Sequence, residues 1–149
     1  MVALALLLVL GLLVVVVPFA VVSEVAKSHI EGNVPKDKFD EYLSRDLNNY
    51  FCGGVNDCRV EYEFLRTGPT QTGISYPKYY LWAKCLKGGK ITMEGAVRVA
   101  AMEQEGFDVT HFISRAQITA DPTEVASVFP APLVDKIVQK ARRTESQAK

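Results

Sequence analysis

The chain has 149 residues, and its 17 acidic side chains balance its 17 Lys and Arg, so the formal net charge at neutral pH is zero. This length accommodates one domain with a short appendage. The lack of a basic excess argues against nucleic acid as a primary partner, because phosphate neutralisation requires surplus Lys and Arg. The sequence also lacks a phosphate-binding loop and a dinucleotide fingerprint.

The first segment is apolar and uncharged. Residues 2–22 carry no charged side chain and are interrupted only by Gly11 and Pro18, and about 20 such residues span a bilayer. A cleaved signal peptide is the alternative, although signal peptides normally start with a cation and have a shorter apolar run. We therefore predict a transmembrane anchor or signal segment over residues 1–23, a linker over 24–34 and a small domain over 35–149.

Two sequence features disagree on the side of the membrane. Lys27, Lys36 and Lys38 follow the apolar segment, and the positive-inside rule then places the domain in the cytoplasm. A disulfide-forming cysteine pair instead favours an oxidising compartment. We expect the domain to be extracytoplasmic, either anchored through residues 2–22 or secreted, with the cytoplasmic orientation as the alternative.

The domain begins with a predicted amphipathic helix. Pro35 suits the first helical turn, and apolar residues then recur at three- and four-residue steps to about Phe51. One apolar stripe of this kind is typical of a helix that packs on a sheet. The stripe comprises Phe39, Tyr42, Leu43, Leu47, Tyr50 and Phe51.

Two of the three cysteines flank the glycine-rich end of this helix. We predict a disulfide between Cys52 and Cys58, which is worth about 2 kcal/mol in the chain-entropy model; free thiols are the alternative in a reducing compartment. Together with Cys85, His29 and His111, these cysteines lack the spacing of a metal site. No metal or cofactor is predicted, and Cys85 is expected on the sheet face away from the core.

Four strands follow. Residues 59–65 alternate apolar and charged positions, and residues 79–86 and 91–102 flank Gly88 and Gly89. A glycine pair between two β-rich runs indicates a two-residue hairpin. A turn ending at Gly106 leads to a last strand predicted over residues 107–118.

Placing Gly88 and Gly89 in the turn sets the predicted register. Leu86 then pairs with Ile91, and Trp82 pairs with Gly95, so that an aromatic side chain covers a strand glycine. Alternation assigns one face to the core and leaves the other only partly polar. The expected core face carries Tyr80, Trp82, Leu86, Ile91, Met93, Val97 and Val99.

The connection between the first two strands is long. Residues 67–76 contain two glycines, a proline and several hydroxyls, a composition and length found in binding loops. Thr70, Gln71, Thr72 and Tyr76 are its candidate binding residues. A flexible connection without a binding role is the alternative.

The C-terminal part is predicted to be helical. Asp121, Pro122 and Glu124 form a helix start, with an Asp cap and Pro in the first turn. Pro130 and Pro132 interrupt that helix, and helical spacing resumes to about Arg143.

The whole pattern predicts an α+β domain: an N-terminal membrane-spanning or signal helix, an amphipathic helix packed on a four-stranded antiparallel meander, and a C-terminal helix. This layout is similar to cystatin-like and nuclear-transport-factor-2-like (NTF2-like) folds, in which a curved sheet wraps a helix. The cystatin Gln-x-Val-x-Gly loop is absent. The resemblance implies a fold and no activity.

Function is predicted at the level of a binding domain. No catalytic motif such as Gly-x-Ser-x-Gly is present, so we assign no catalytic residue and expect an accessory domain that acts through contacts with another protein. The alternative is a small-ligand pocket protein or an enzyme that uses the concave face of the sheet. Its wall would comprise Tyr80, Trp82, Met93 and His111.

Overall fold

The computed structural model describes residues 34–73, 75–102 and 104–143. The predicted membrane or signal segment over residues 1–23, and all but the end of the predicted linker, lie outside the described residues. Among the helices that are described, none has both the length and the hydropathy needed to cross a membrane.

The described elements follow the predicted order closely. A 3-10 turn (Lys36–Lys38) precedes helix α1 (Phe39–Cys52), and Gly53 ends α1 in the left-handed conformation (φ 55°). Strands and further helices then follow: β1 (Cys58–Phe64), β2 (Lys78–Lys87), β3 (Lys90–Met102), β4 (Gly106–Ser114), α2 (Arg115–Ala120), α3 (Thr123–Val128) and α4 (Ala131–Arg142).

The predicted α+β class and four-stranded antiparallel sheet are confirmed. The strands lie in the order β1-β2-β3-β4, and each pairs antiparallel with the next. The predicted disulfide is also present: Cys52, the last residue of α1, is bonded to Cys58, the first residue of β1.

Both faces of the sheet are buried, which corrects the predicted one-sided core. On the first face α1 inserts Leu43 and Leu47, both fully buried, against the strands. On the second face Tyr80 and Trp82 pack under α2–α4 with Ile118 and Ile137. The predicted core face was wrong because it placed Trp82 and Val97 together, whereas the sheet separates them.

The hairpin register is the cause of that error. The Gly88-Gly89 turn and the Leu86–Ile91 pair are as predicted, but a bulge then shifts the register by one residue. Thr92 is the extra residue, and its hydroxyl donates to the Cys85 carbonyl at 3.2 Å. Because one added residue exchanges the two faces of a strand, Trp82 pairs with Ala96 and not with Gly95.

Gly95 has a different role from the predicted one. It pairs with Ala83 on one side and with Ser114 on the other. A Cβ atom at this position would overlap the Ile113 carbonyl oxygen and crowd the Phe112 ring. Glycine is therefore required because β4 lies too close for a side chain, and not because Trp82 covers a gap.

Strand β4 ends four residues earlier than predicted. Ser114 caps helix α2: its hydroxyl accepts from the Gln117 amide, and the Gln117 side chain accepts from the Ser114 amide. This reciprocal capping box stabilises a helix start. Residues 115–118, predicted as strand, are helical for that reason.

Helix α1 is hydrogen-bonded to both outer strands. Asn48 Oδ1 accepts from the Val60 amide of β1 at 2.9 Å, and Asp46 Oδ2 accepts from the Phe107 amide of β4 at 2.7 Å. Arg45 adds a bond from its guanidinium to the Glu105 carbonyl at 2.9 Å. Amides at a sheet edge otherwise have no partner within the sheet, so these bonds fix the position of α1 across the four strands.

We expect Asn48→Ala to destabilise the protein by about 1–3 kcal/mol, because it leaves the amide of buried Val60 without an acceptor. Asn49→Ala is the matched control: Asn49 is its exposed neighbour in the same helix, so the gain in helix propensity is the same. The measurement is urea unfolding of both variants and the wild type. Equal stability of the two variants would contradict the role of Asn48.

Candidate functional site

The four residues of the predicted pocket wall do not surround one cavity. Tyr80 and Trp82 are 4% and 1% exposed and are covered by the C-terminal helices. Met93 pairs with Cys85 at the hairpin end and is 41% exposed. His111 is exposed and lies on β4 opposite Arg98.

The surroundings of His111 disfavour its protonated form. Arg98 Nη2 lies 2.6 Å from His111 Nδ1, and a guanidinium can only donate, so Nδ1 accepts and Nε2 carries the proton. Burial, with the positive charges of Arg98 and Lys78, lowers the pKa of His111 below its ordinary value of 6.5. Arg98 also donates to the Val128 carbonyl at 3.1 Å, so this group joins β3 to α3.

The predicted binding loop folds back onto β2. Thr70 forms a two-way backbone bridge with Lys78, and its hydroxyl lies 2.6 Å from the Tyr80 hydroxyl. Gln71 and Thr72 are exposed, and Tyr76 is half-buried. The structure therefore anchors the loop at Thr70 and leaves residues 67–69 and 71–73 exposed.

The hairpin end of β3 has an unpaired edge. β3 starts at Lys90, but its pairing with β4 starts at Gly95, because β4 ends at Ser114. Within the described ranges, no strand pairs with Lys90–Glu94 on the side opposite β2. Residues in a strand point their backbone donors and acceptors alternately to either side, so this edge presents unpaired groups over about 17 Å.

A groove of about 610 Å³ lies beside this edge. One wall is the edge itself, through Thr92, Met93 and Glu94, and the other is α2 with the end of β4. Its lining is mostly apolar and comprises Thr92, Met93, Glu94, Phe112, Ser114, Arg115, Ala116, Thr119 and Ala120. The groove occupies the position that β4 would fill if it continued past Ser114.

A partly buried ion pair closes one side of the groove. Arg115 pairs with Glu94, whose side chain is only 10% exposed. The same guanidinium donates to the carbonyls of Lys140 and Arg143 at the end of α4, at 3.4 and 2.9 Å. Arg115, in α2, therefore links β3 to the end of α4 at the groove wall.

The outer sheet edges differ from this one. The β1 edge is covered in part by Asn48. Helix α4 also reaches this edge: Lys136 donates to the Leu65 carbonyl at 2.7 Å, and Lys140 pairs with Glu63. The β4 edge receives Asp46. Charges and covering side chains of this kind oppose strand addition. The Lys90–Glu94 edge differs in lying beside the larger, mostly apolar groove.

A second, smaller groove lies at the opposite end of the sheet. It measures about 380 Å³ and is lined by Phe39, Phe64 and Tyr79, with Arg66 and Lys136 nearby. The three aromatic rings contact one another, with centroids 5.0–6.5 Å apart. Burial raises the pKa of the Tyr79 hydroxyl. This groove borders the end of β1 at Phe64, where Lys136 donates to the Leu65 carbonyl next in the chain.

One group of residues in the described part of the chain has the composition of a metal site. The sulfur atoms of Cys52, Cys58 and Cys85 all lie within 4.8 Å of one another. Two of them are joined in the disulfide, and a disulfide offers no thiolate ligand. Cys85 is buried on the α1 face, which corrects its predicted place on the face away from the core.

The groove residues were not singled out by the sequence analysis, except Met93. The missed signal is Ser114-Arg115-Ala116-Gln117, which has the form of a capping box and marks the end of β4. Comparison of the chain with protein-family models, with curated proteins and with solved structures finds no match.

We expect the NMR titration midpoint of His111 to lie below 6.5. Arg98→Gln removes a facing positive charge and should move the midpoint upward; Lys78→Gln should do the same to a smaller extent. The unfolded state binds a proton on His111 more tightly than the folded state does. The free energy of unfolding is therefore highest above pH 6.5, and it decreases as the pH falls through the lowered pKa. A midpoint at or above 6.5 would contradict this arrangement.

Proposed function

We propose that the protein is an extracytoplasmic binding domain, membrane-tethered or secreted, that takes an extended segment of a partner protein as an added strand along Lys90–Glu94. The observation that carries the proposal is the unpaired edge beside an apolar groove. Strand addition pairs the peptide backbone with the edge, and side-chain pockets supply specificity.

The geometry favours a peptide over a compact ligand. An edge strand offers repeated donors and acceptors along a line, and an extended chain matches that spacing. The groove then receives every second side chain of the segment, since successive side chains point to opposite faces. Phe112, Met93 and the alanines of α2 favour apolar side chains at those positions.

The proposal also explains an exposed apolar pair. Ile91 and Met93 are 37% and 41% exposed, and they lie on the unpaired stretch itself. Isolated exposed apolar residues are ordinary, but an edge strand that carries them invites association with another strand. The two side chains face opposite sides of the sheet, because Ile91 pairs with Leu86 and Met93 with Cys85. An added strand carries side chains on both faces, so it would cover part of each.

Met93→Asp should weaken binding of selected peptides by about tenfold or more, because it places a charge in an apolar groove. The probe is a phage-displayed library of random linear peptides, from which the wild-type protein selects binders. Phe64→Asp is the matched control: Phe64 is also 41% exposed, but it lies in the other groove. Peptides selected should alternate apolar residues and should slow amide hydrogen exchange within residues 90–94.

Three outcomes oppose the proposal. Loss of binding by Phe64→Asp alone would place the site in the aromatic groove. Failure of the library to yield any binder would argue against a peptide site. A ligand that binds near Met93 without protecting the amides of residues 90–94 would indicate a small-molecule pocket in place of strand addition.

The location is tested separately. We expect the protein to sediment with membranes after alkaline carbonate treatment, or to be shortened by about the 22 N-terminal residues if the segment is a signal peptide. A C-terminal alkaline phosphatase fusion should be active, since this enzyme requires an oxidising compartment. A soluble, full-length protein with an inactive fusion would refute the extracytoplasmic location. It would not affect the proposed peptide site, which the Met93→Asp experiment tests.

A further inference from the structure

The three cysteines form a cluster in which the free thiol touches the disulfide. Cys85 Sγ lies 3.5 Å from Cys58 Sγ, while Cys58 is bonded to Cys52. Three secondary-structure elements meet there: Cys52 ends α1, Cys58 begins β1, and Cys85 lies on β2. We propose that this cluster is a thiol–disulfide exchange site, in which the bridge passes from Cys52–Cys58 to Cys58–Cys85.

The chemistry needs no external oxidant or reductant. The Cys85 thiol loses its proton, and the thiolate electron pair forms a new bond to Cys58 Sγ. The Cys52–Cys58 bond breaks, and its electron pair leaves on Cys52 Sγ, which takes up a proton. One disulfide and one thiol are present before and after, so atoms and electrons balance.

The new bond requires a local movement of the backbone and of the sulfur atoms. Cys58 pairs with Lys87 and Val60 pairs with Cys85, so the two cysteines are diagonal neighbours on adjacent strands. Their side chains share the α1 face, and the sulfurs must approach by about 1.5 Å to reach the ordinary bond length. Diagonal Cα atoms are about 7–8 Å apart in a regular ladder, slightly more than most disulfides span, so the strands must draw together locally.

The two bridges restrain different parts of the fold. The Cys52–Cys58 bridge ties the end of α1 to the sheet, whereas the Cys58–Cys85 bridge ties only β1 to β2. In the second form α1 is held at this end by Asn48 and by packing. Burial of Cys85 and Cys52, 3% and 7% exposed, keeps external thiols away from these two sulfurs, so exchange within the cluster is favoured over mixed disulfides.

The first test uses single substitutions. Cys52→Ser should form the Cys58–Cys85 bridge in a glutathione redox buffer and show no free thiol after unfolding. Cys85→Ser is the matched control, since it leaves the Cys52–Cys58 bridge without a thiol neighbour. If Cys52→Ser retains two free thiols while Cys85→Ser is fully bridged, the proposal is overturned.

The second test uses the unchanged protein, so it does not depend on a variant that folds. Samples held at pH 8.5 and at pH 5 are quenched in acid, where exchange stops because the thiolate is absent. They are then unfolded at near-neutral pH in a large excess of N-ethylmaleimide, so that labelling of the free thiol outruns exchange. Trypsin cuts after Arg45, Arg59, Lys84 and Lys87. The original bridge is then internal to peptide 46–59, whereas the new bridge joins it to peptide 85–87.

We expect the joined peptide, with label on Cys52, to accumulate over time at pH 8.5 and not at pH 5. Label on Cys85 alone at both pH values, after prolonged incubation, would refute the exchange. Binding of peptides at the β3 edge is a separate readout, so failure here leaves the proposed function unaffected.

Discussion

Helix α1 holds the sheet by hydrogen bonds to both of its outer strands, and the rest of the fold depends on this. Asn48 binds the β1 amide of Val60, and Asp46 binds the β4 amide of Phe107. The face of the sheet opposite α1 is also apolar, which is why α2–α4 must cover Trp82 and Tyr80. The three-layer arrangement follows from that requirement.

The elements could be predicted because their signals are local. The stripe from Phe39 to Phe51, the Gly88-Gly89 turn and the cysteine pair each act over a few residues. The assignment of faces failed because β2 and β3 are apolar on both sides, as strands buried on two faces are. Alternation then carries little information, and a single bulge at Thr92 was enough to exchange the faces.

The candidate site was harder to predict because it arises from a difference in strand length. Nothing in residues 90–94 alone shows that their edge is open. The open edge appears only when β4 ends at Ser114, which pairs with Gly95. That ending is set by the Ser114–Gln117 capping box, which a four-residue pattern could have revealed. At Gly95, where the paired part of β3 begins, β4 approaches so closely that a side chain would push the two strands apart.

The cysteine cluster and the open edge share the same end of the sheet. Residues 53–57, closed into a loop by the Cys52–Cys58 bridge, contact the hairpin turn through the bond from the Gly88 amide to the Asp57 carbonyl at 3.1 Å. Two residues after Gly88 the unpaired stretch begins at Lys90. Transfer of the bridge to Cys85 would release that loop at Cys52 and add a restraint between β1 and β2, beside the Cys85–Met93 pair. The proposed exchange and the proposed peptide site are thus joined through one short hairpin, although each stands on its own contacts.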